Sequence, residues 1–340
     1  MGAPRPTIED VARASHVSVA TVSRALRGLP NVASATRARV EEVARELRYE
    51  IDPKASSLAS GRTMTIGVVA PLFGTWYADE VVTGAESVLA DARYDMLIAS
   101  VHDVDTLDAF LARTRSFGRR IDGALLIDVF MDPERLALLD DLDVPIVAVG
   151  EELGTIPSVT IDNVAAGATA VRHLAELGHR RIGVMGGPPP RTFISPVSAR
   201  REAGWRAVLE EIGVDASPEL ISDGFYTASG GADAMRRLLD LADPPTAVFC
   251  MSDRMALGAM MAARERGLDV PDDMSLVGFD DDELAATFGL TTMRQPVAEI
   301  GAVAAGMLLS AVADRDTVVA GTVVDVDLVV RSTTAPPPGG

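Results

Sequence analysis

Apolar side chains near the start of the chain recur at helical spacing in three short runs. Ile8, Val11 and Ala12 share one face, Val22, Ala25 and Leu26 a second, and Val40, Val43, Ala44 and Leu47 a third. Thr7 is placed to cap the first helix, with Asp10 able to close a capping box, and Ser18 is placed to cap the second. Only Ser15 to Val17 separates the two, which predicts a helix-turn-helix. A third helix from about Ala35 to Leu47 completes a small helical core. On the side of the second helix away from its apolar stripe stand Val19, Ala20, Thr21, Ser23 and Arg24. Small, hydroxylic and basic residues of this kind let a helix enter a DNA major groove and reach phosphates and base edges. Beyond Tyr49, Asp52 can cap, Pro53 suits a first helical turn and Gly61 is a stop. The segment reads as a helix of about two turns, too short to be stable alone, or as a plain linker, and composition leaves both open.

From Met64 the pattern changes to short apolar runs alternating with amphipathic segments. Strands are predicted at Thr65 to Ala70, Met96 to Ala99, Gly123 to Ile127, Pro145 to Val149, Arg181 to Met185, Thr246 to Cys250 and Ser275 to Val277. Helices are predicted at Asp79 to Ala92, Ala165 to Leu177, Arg200 to Ile212, Ala232 to Leu241, Met255 to Arg266 and Val297 to Ala313. Strand-helix repetition of this kind implies parallel sheets covered on both faces, and the length implies two such lobes. The expected fold is an all-α helix-turn-helix headpiece followed by an α/β core of two Rossmann-like lobes. Ligands of open parallel sheets sit beyond the carboxyl ends of the strands, so chemistry is to be sought in the segments that follow each strand.

Charge sharpens this division. The 340-residue chain carries a formal net charge of -18, but residues 1–62 hold ten basic and seven acidic residues, so the deficit lies wholly in the rest. An acidic body repels DNA outside the basic module, while a few phosphate contacts within the module supply salt-dependent affinity. The longest apolar run, Gly301 to Ala313, is too short for a bilayer span, and Met1 to Asp10 lacks the apolar core of a secretory signal. A cytoplasmic protein with no membrane partner is expected. The single cysteine, Cys250, cannot form an intramolecular disulfide and reads as inert strand packing.

An enzyme would have to find its chemistry in four histidines and that cysteine. His16, His102, His173 and His179 show no metal-ligand spacing, and His173 and His179 read as packing or capping residues. The stretch G-G-P-P-P-R at 186–191 lacks the G-K-[ST] of a phosphate loop, and its prolines remove amide donors. Asp280, Asp281 and Asp282 are adjacent and so poorly placed to converge on one metal ion. No enzymatic activity, metal or cofactor is expected.

Several fragments in order resemble the LacI (lactose-repressor/galactose-repressor) family of bacterial transcriptional regulators. They are T-I-E-D-V-A-R-A-S-H-V-S-V-A-T-V-S-R-A-L at 7–26, V-T-I-D-N at 159–163 and H-L-A-E-L-G-H-R-R-I-G at 173–183. S-D-R-M-A-L-G at 252–258, S-L-V-G-F-D-D at 275–281 and T-T-M-R-Q-P at 291–296 follow. The resemblance runs from Thr7 to Ser332. It implies a homodimer whose headpieces read a palindromic operator, and a periplasmic-binding-protein-like core that binds a small effector, most often a sugar.

Carried over residue by residue, Val19, Ala20 and Arg24 fall at base-facing positions, and Ser18, Thr21 and Ser23 at phosphate-facing ones. Ala55 and Leu58 fall where the family's hinge helix wedges into the minor groove. Ile51, Asp52 and Ser56 depart from the usual hinge pattern, as does Ala33 from the usual capping serine, which Ser34 is expected to replace. For the effector the resemblance implies Trp76 and Tyr77 as stacking aromatics, Arg201 and Asp280 as hydroxyl partners, Ser252 in place of a frequent asparagine, and Tyr226, Asp162 and Gln295 as lining residues. It implies a headpiece over 1–50, a hinge over 51–63, a first lobe of 64–162 plus 292–321 and a second of 163–291 plus 322–332; the remaining T-T-A-P-P-P-G-G at 333–340 reads as a disordered tail. The tail offers no leucine heptads, so a dimer rather than a tetramer is expected. A transport-type sugar-binding protein is the alternative, disfavoured by the absent export signal and the N-terminal helix-turn-helix.

Overall fold

The computed structural model describes residues 6–26, 30–49, 62–70, 75–187 and 196–338. The hinge residues Ala55 and Leu58, the departures at 51, 52 and 56, and the proline run at 188–190 lie outside the described residues. The chain divides into two compact units, Met1–Thr63 and Met64–Gly340.

In the first unit, α1 (Ile8–Ala14), α2 (Val19–Leu26) and α3 (Ser34–Glu46) close on Val11, Ala12, Val22, Ala25, Val40 and Ala44. The Thr7–Asp10 capping box forms in both directions, and the Thr21 amide donates to Ser18 Oγ at 3.1 Å. Two expectations for α3 are corrected. The helix starts at Ser34 with Ala33 as an N-cap that makes no side-chain bond, so Ser34 lies one position too late to cap it. Leu47 is exposed as the C-cap, because the helix ends before the last turn of its stripe can close on the core.

The second unit begins with β1 (Thr65–Ala70), α4 (Trp76–Asp91), β2 (Asp95–Ser100), α5 (Val104–Leu111), α6 (Thr114–Gly118), β3 (Gly123–Ile127), α7 (Pro133–Ala137), β4 (Ile146–Val149) and β5 (Ser158–Thr160). It continues through α8 (Asn163–Glu176), β6 (Ile182–Gly186), α9 (Val197–Glu211), β7 (Ile221–Asp223), α10 (Ala228–Leu239), β8 (Ala247–Cys250), α11 (Asp253–Glu265), β9 (Ser275–Asp280), α12 (Glu283–Thr287) and β10 (Thr291–Arg294). It ends with α13 (Val297–Ala313), β11 (Thr322–Val323) and β12 (Asp327–Val329). Two six-stranded sheets result, ordered β11-β5-β4-β3-β1-β2 and β12-β10-β9-β8-β6-β7. All pairings are parallel except β12 against β10.

The chain passes between the sheets three times, and two of the crossings differ from expectation. Thr291–Arg294 completes the second sheet by pairing with β9, so the second crossing follows Arg294. Thr322–Val323 pairs with β5 in the first sheet, so the last crossing follows Val323. The tail is corrected as well. Thr333 is buried, with its hydroxyl donating to the Leu276 carbonyl, and the Ala335 amide donates to Ser275 Oγ. Apolar exposure alone gave no reason to order T-T-A-P; the unpaired groups of β9 do.

Helices pack in pairs through reciprocal glycines. A methyl group on Gly84 of α4 would collide with the Ala298 carbonyl of α13, and one on Gly301 with the Val81 carbonyl of α4. Gly167 and Gly204 join α8 to α9 in the same way, and Gly231 and Gly258 join α10 to α11. The backbones meet where a side chain would hold them apart.

Candidate functional site

In each sheet the strand order reverses once, between β1 and β3 in the first and between β6 and β8 in the second. In open parallel sheets such switch points mark where a ligand crevice forms, at the carboxyl ends of the strands. From the first lobe, Thr75 caps α4 so that Trp76 and Tyr77 occupy its first turn, both half-buried against the core. The helix starts three residues earlier than predicted, which fixes these aromatics on a rigid element. Asp128 follows β3 and Glu151 follows β4.

From the second lobe come Arg201 of α9 and Asp280 at the end of β9. Arg201 is buried; its Nε donates to Asn163 Oδ1 and its Nη1 to the Met251 carbonyl, both at 2.8 Å. Its guanidinium lies 3.4 Å from the centre of the Phe279 ring. Asp280 has φ 118 and accepts from Gln295 Nε2 at 2.6 Å. Desolvation raises the Asp280 carboxyl above the usual carboxylate range, opposed by Arg201 and by the Gln295 hydrogen bond. Asp128 is pushed up to about 7, first by desolvation and then by the charge of Glu151. Burial, then Asp128, raises the Tyr77 hydroxyl well above its ordinary value. Arg200 Nη2 lies 3.2 Å from Glu151 Oε2, an ion pair that joins the two lobes.

Of the residues expected to hold an effector, Tyr77, Tyr226, Arg201 and Asp280 lie within electrostatic reach of one another, and Gln295 bonds Asp280; Trp76 precedes Tyr77 on α4 and packs against the core. Tyr226, at φ 56, hydrogen-bonds Ser198, whose Oγ also accepts from the Gly187 amide at 2.9 Å. Ser252 is the N-cap of α11, its hydroxyl accepting from the Met255 amide, and Asp162 is an exposed N-cap of α8 accepting from the Ala165 amide. Helix capping engages both of these. Asp280 itself caps nothing; Asp282 caps α12. Sequence reasoning missed Asp128 and Glu151, although Asp128 directly follows an expected strand and Glu151 stands two residues past another. It also missed Asn163 as the residue that fixes Arg201.

On the headpiece, α2 leaves Ser18, Val19, Ala20 and Arg24 exposed and Thr21 and Ser23 partly so, while Val22 and Ala25 face inward. Val19 is 41 % exposed, unusual for a branched apolar residue on a helix with its own core stripe. Ser18 Oγ and Thr21 Oγ1 lie 2.9 Å apart. Elsewhere His179 is buried between Thr246, Ser275 and the Ala335 carbonyl, His173 contacts Thr334, and Cys250 is buried with its thiol pushed up. Among the described residues no cluster of His, Cys, Asp or Glu is arranged to hold a metal ion, and no helix is long and apolar enough to cross a membrane.

A helix-turn-helix headpiece joined to a two-lobed α/β core with an interlobe crevice defines a DNA-binding regulator of the two-module class. Residues 7–51 match the model for bacterial regulatory proteins of the lacI family, and residues 171–334 match that for the periplasmic binding protein-like domain. The chain is 36% identical over 334 residues to the HTH-type transcriptional repressor CytR of Escherichia coli (strain K12), covering 96% of each. It matches the solved lac repressor dimer bound to operator and the anti-inducer ONPF at TM-score 0.85 and 27% identity, covering 98% of this chain and 100% of that one. It matches the transcriptional regulator CelR–cellobiose complex at TM-score 0.71 and 31% identity, covering 97% and 100%. The chain belongs to the LacI family of transcriptional regulators; its relatives are regulators and no enzyme family is indicated.

Proposed function

We propose that this protein is a homodimeric, cytoplasmic transcriptional repressor that reads a palindromic operator and is controlled by a hydroxyl-rich effector, a sugar or a related ring. The observation that carries the reading is the convergence of Arg201 and Asp280 from one lobe on Tyr77 of the other, with Trp76 beside Tyr77 in the first turn of α4. An aromatic face and a fork donor beside a carboxylate suit the two sides of a polyol ring. On DNA, Arg24 would engage a guanine bidentately beside the small Val19 and Ala20, with Ser18, Thr21 and Ser23 on phosphates and Ala55 and Leu58 in the minor groove. Ser252, Asp162 and Tyr226 would complete the pocket wall.

Effector binding to the crevice favours one arrangement of the lobes, and operator affinity follows by linkage. Operators selected from random duplexes, followed by anisotropy titrations with and without a panel of sugars and nucleosides, test this. The reading predicts a symmetric operator and at least one compound that changes operator affinity. A protein that selects no sequence, or whose operator affinity none of the panel alters, would overturn it.

A further inference from the structure

The interlobe crevice is lined by more carboxylates than a general polyol site requires. β3 and β4 are neighbours in one parallel sheet, which brings Asp128 beside Gly150, and the charge of the next residue, Glu151, is felt at Asp128. The fit is tight, since a methyl group on Gly150 would collide with the Asp128 carboxylate and come within 3.1 Å of the Tyr77 hydroxyl. Glu151 is 1 % exposed and is held across the crevice by Arg200. Asp280 faces this pair from the second lobe, and its charge is felt at both Asp128 and Tyr77.

Among the described residues, protein acceptors already engage Arg200, with Glu151, and Arg201, with Asn163 and the Met251 carbonyl, while the charge of Arg254 is felt at Asp280. An incoming phosphate or carboxylate would meet three carboxyl groups, and capturing Arg200 would draw a counter-ion away from buried Glu151. A ligand hydroxyl or amine, in contrast, donates to acceptors that are in place.

We propose that Glu151, fastened to Arg200 of the opposite lobe, determines the charge class of the effector: the crevice takes a neutral or amine-bearing ring and rejects its phosphorylated or carboxylated counterpart. This rests on the reading of the crevice as the effector site. Rejection by misplaced like charge is a common source of specificity.

The test uses the full-length protein and matched sets of hexoses, disaccharides and nucleosides, each in neutral, amine-bearing and phosphorylated form, by thermal shift and then titration calorimetry. Neutral or amine-bearing members should bind, with phosphorylated counterparts weaker by about 100-fold or more, the size expected for a like charge facing carboxylates. Glu151→Gln should narrow that ratio about tenfold or more, and Asp128→Asn should narrow it independently should the first variant fold poorly. A phosphorylated member that binds more tightly than its neutral parent would overturn this inference alone. So would a ratio unmoved in both variants. If no form of any compound binds the wild type, the effector-site reading falls and this inference with it.

Discussion

Arg24 and Asp280 are the residues on which the two halves of the proposed activity depend. Arg24 is exposed on α2 among small neighbours, so its guanidinium is the longest reach that face offers. Arg24→Ala should reduce discrimination between selected operator and random duplex by ~1–3 kcal/mol, measured by competition anisotropy. Equal weakening on both would make Arg24 a phosphate contact instead. Asp280 holds a backbone conformation with φ 118, sparsely populated by residues other than glycine, and Gln295 secures its carboxylate. Asp280→Ala should abolish the effector response and leave effector-free operator affinity within about twofold, since α2 is untouched. A variant that still responds would remove Asp280 from the pocket. Beside it, Asp281 accepts from Arg294 Nε and Arg331 Nη2, both at 2.6 Å, which ties the strained turn to the end of β10 and to the segment after β12.

At the scale of elements, the position of Arg201 depends on how closely α8 and α9 approach. Gly167 and Gly204 let the two backbones touch, and the colliding atom at Gly167 is the Arg201 carbonyl itself. The binding residue is thus placed by a helix crossing rather than by a loop. The α4–α13 crossing through Gly84 and Gly301 has the same geometry and underlies Trp76 and Tyr77. Gly84→Ala should force those helices apart and destabilise the core by ~1–3 kcal/mol or more, read as a fall in the denaturant midpoint. In the headpiece, Thr7→Ala removes the hydroxyl half of the capping box and leaves the residue 7 amide donating to Asp10. It should cost about 1 kcal/mol, visible as a lower melting temperature of the helix-turn-helix transition alone.

For the whole molecule, the crevice makes stability depend on pH. The Asp128 carboxyl in the folded protein has its pKa near 7, above its ordinary value of 3.8, so the native state holds the proton more tightly than the unfolded chain. Its contribution therefore falls as pH rises from about 4 to about 7 and is unfavourable above that. Between pH 5 and pH 8 the melting temperature should fall, and Asp128→Asn should flatten the decline across that window. Desolvation also raises Asp253, buried beneath the same turn and bonded to Thr292 and to the Asp282 amide, and it contributes with the same sign. Differential scanning calorimetry of wild type and variant across the window would show it. A melting temperature that rises with pH in the wild type would contradict the assignment.

What the sequence determined by itself is the order and kind of the elements and the family. Helical spacing, the Thr7–Asp10 cap and alternating apolar runs are local properties, and β1, β3 and α13 have the bounds their patterns predict. Short strands at the sheet margins, β7, β11 and β12, carry too few apolar residues to announce themselves; they exist because a neighbouring strand offers unpaired backbone groups. For the same reason the crossings move past Arg294 and Val323, and the tail at Thr333 is ordered. The crevice was legible only in part. The resemblance pointed to Arg201 and Asp280, but Glu151 and Arg200, 49 positions apart in the chain, form a pair only because two sheets present their carboxyl ends to each other. Local pattern says which residues can form a strand or a helix. Tertiary packing alone decides which charges must share one poorly solvated space.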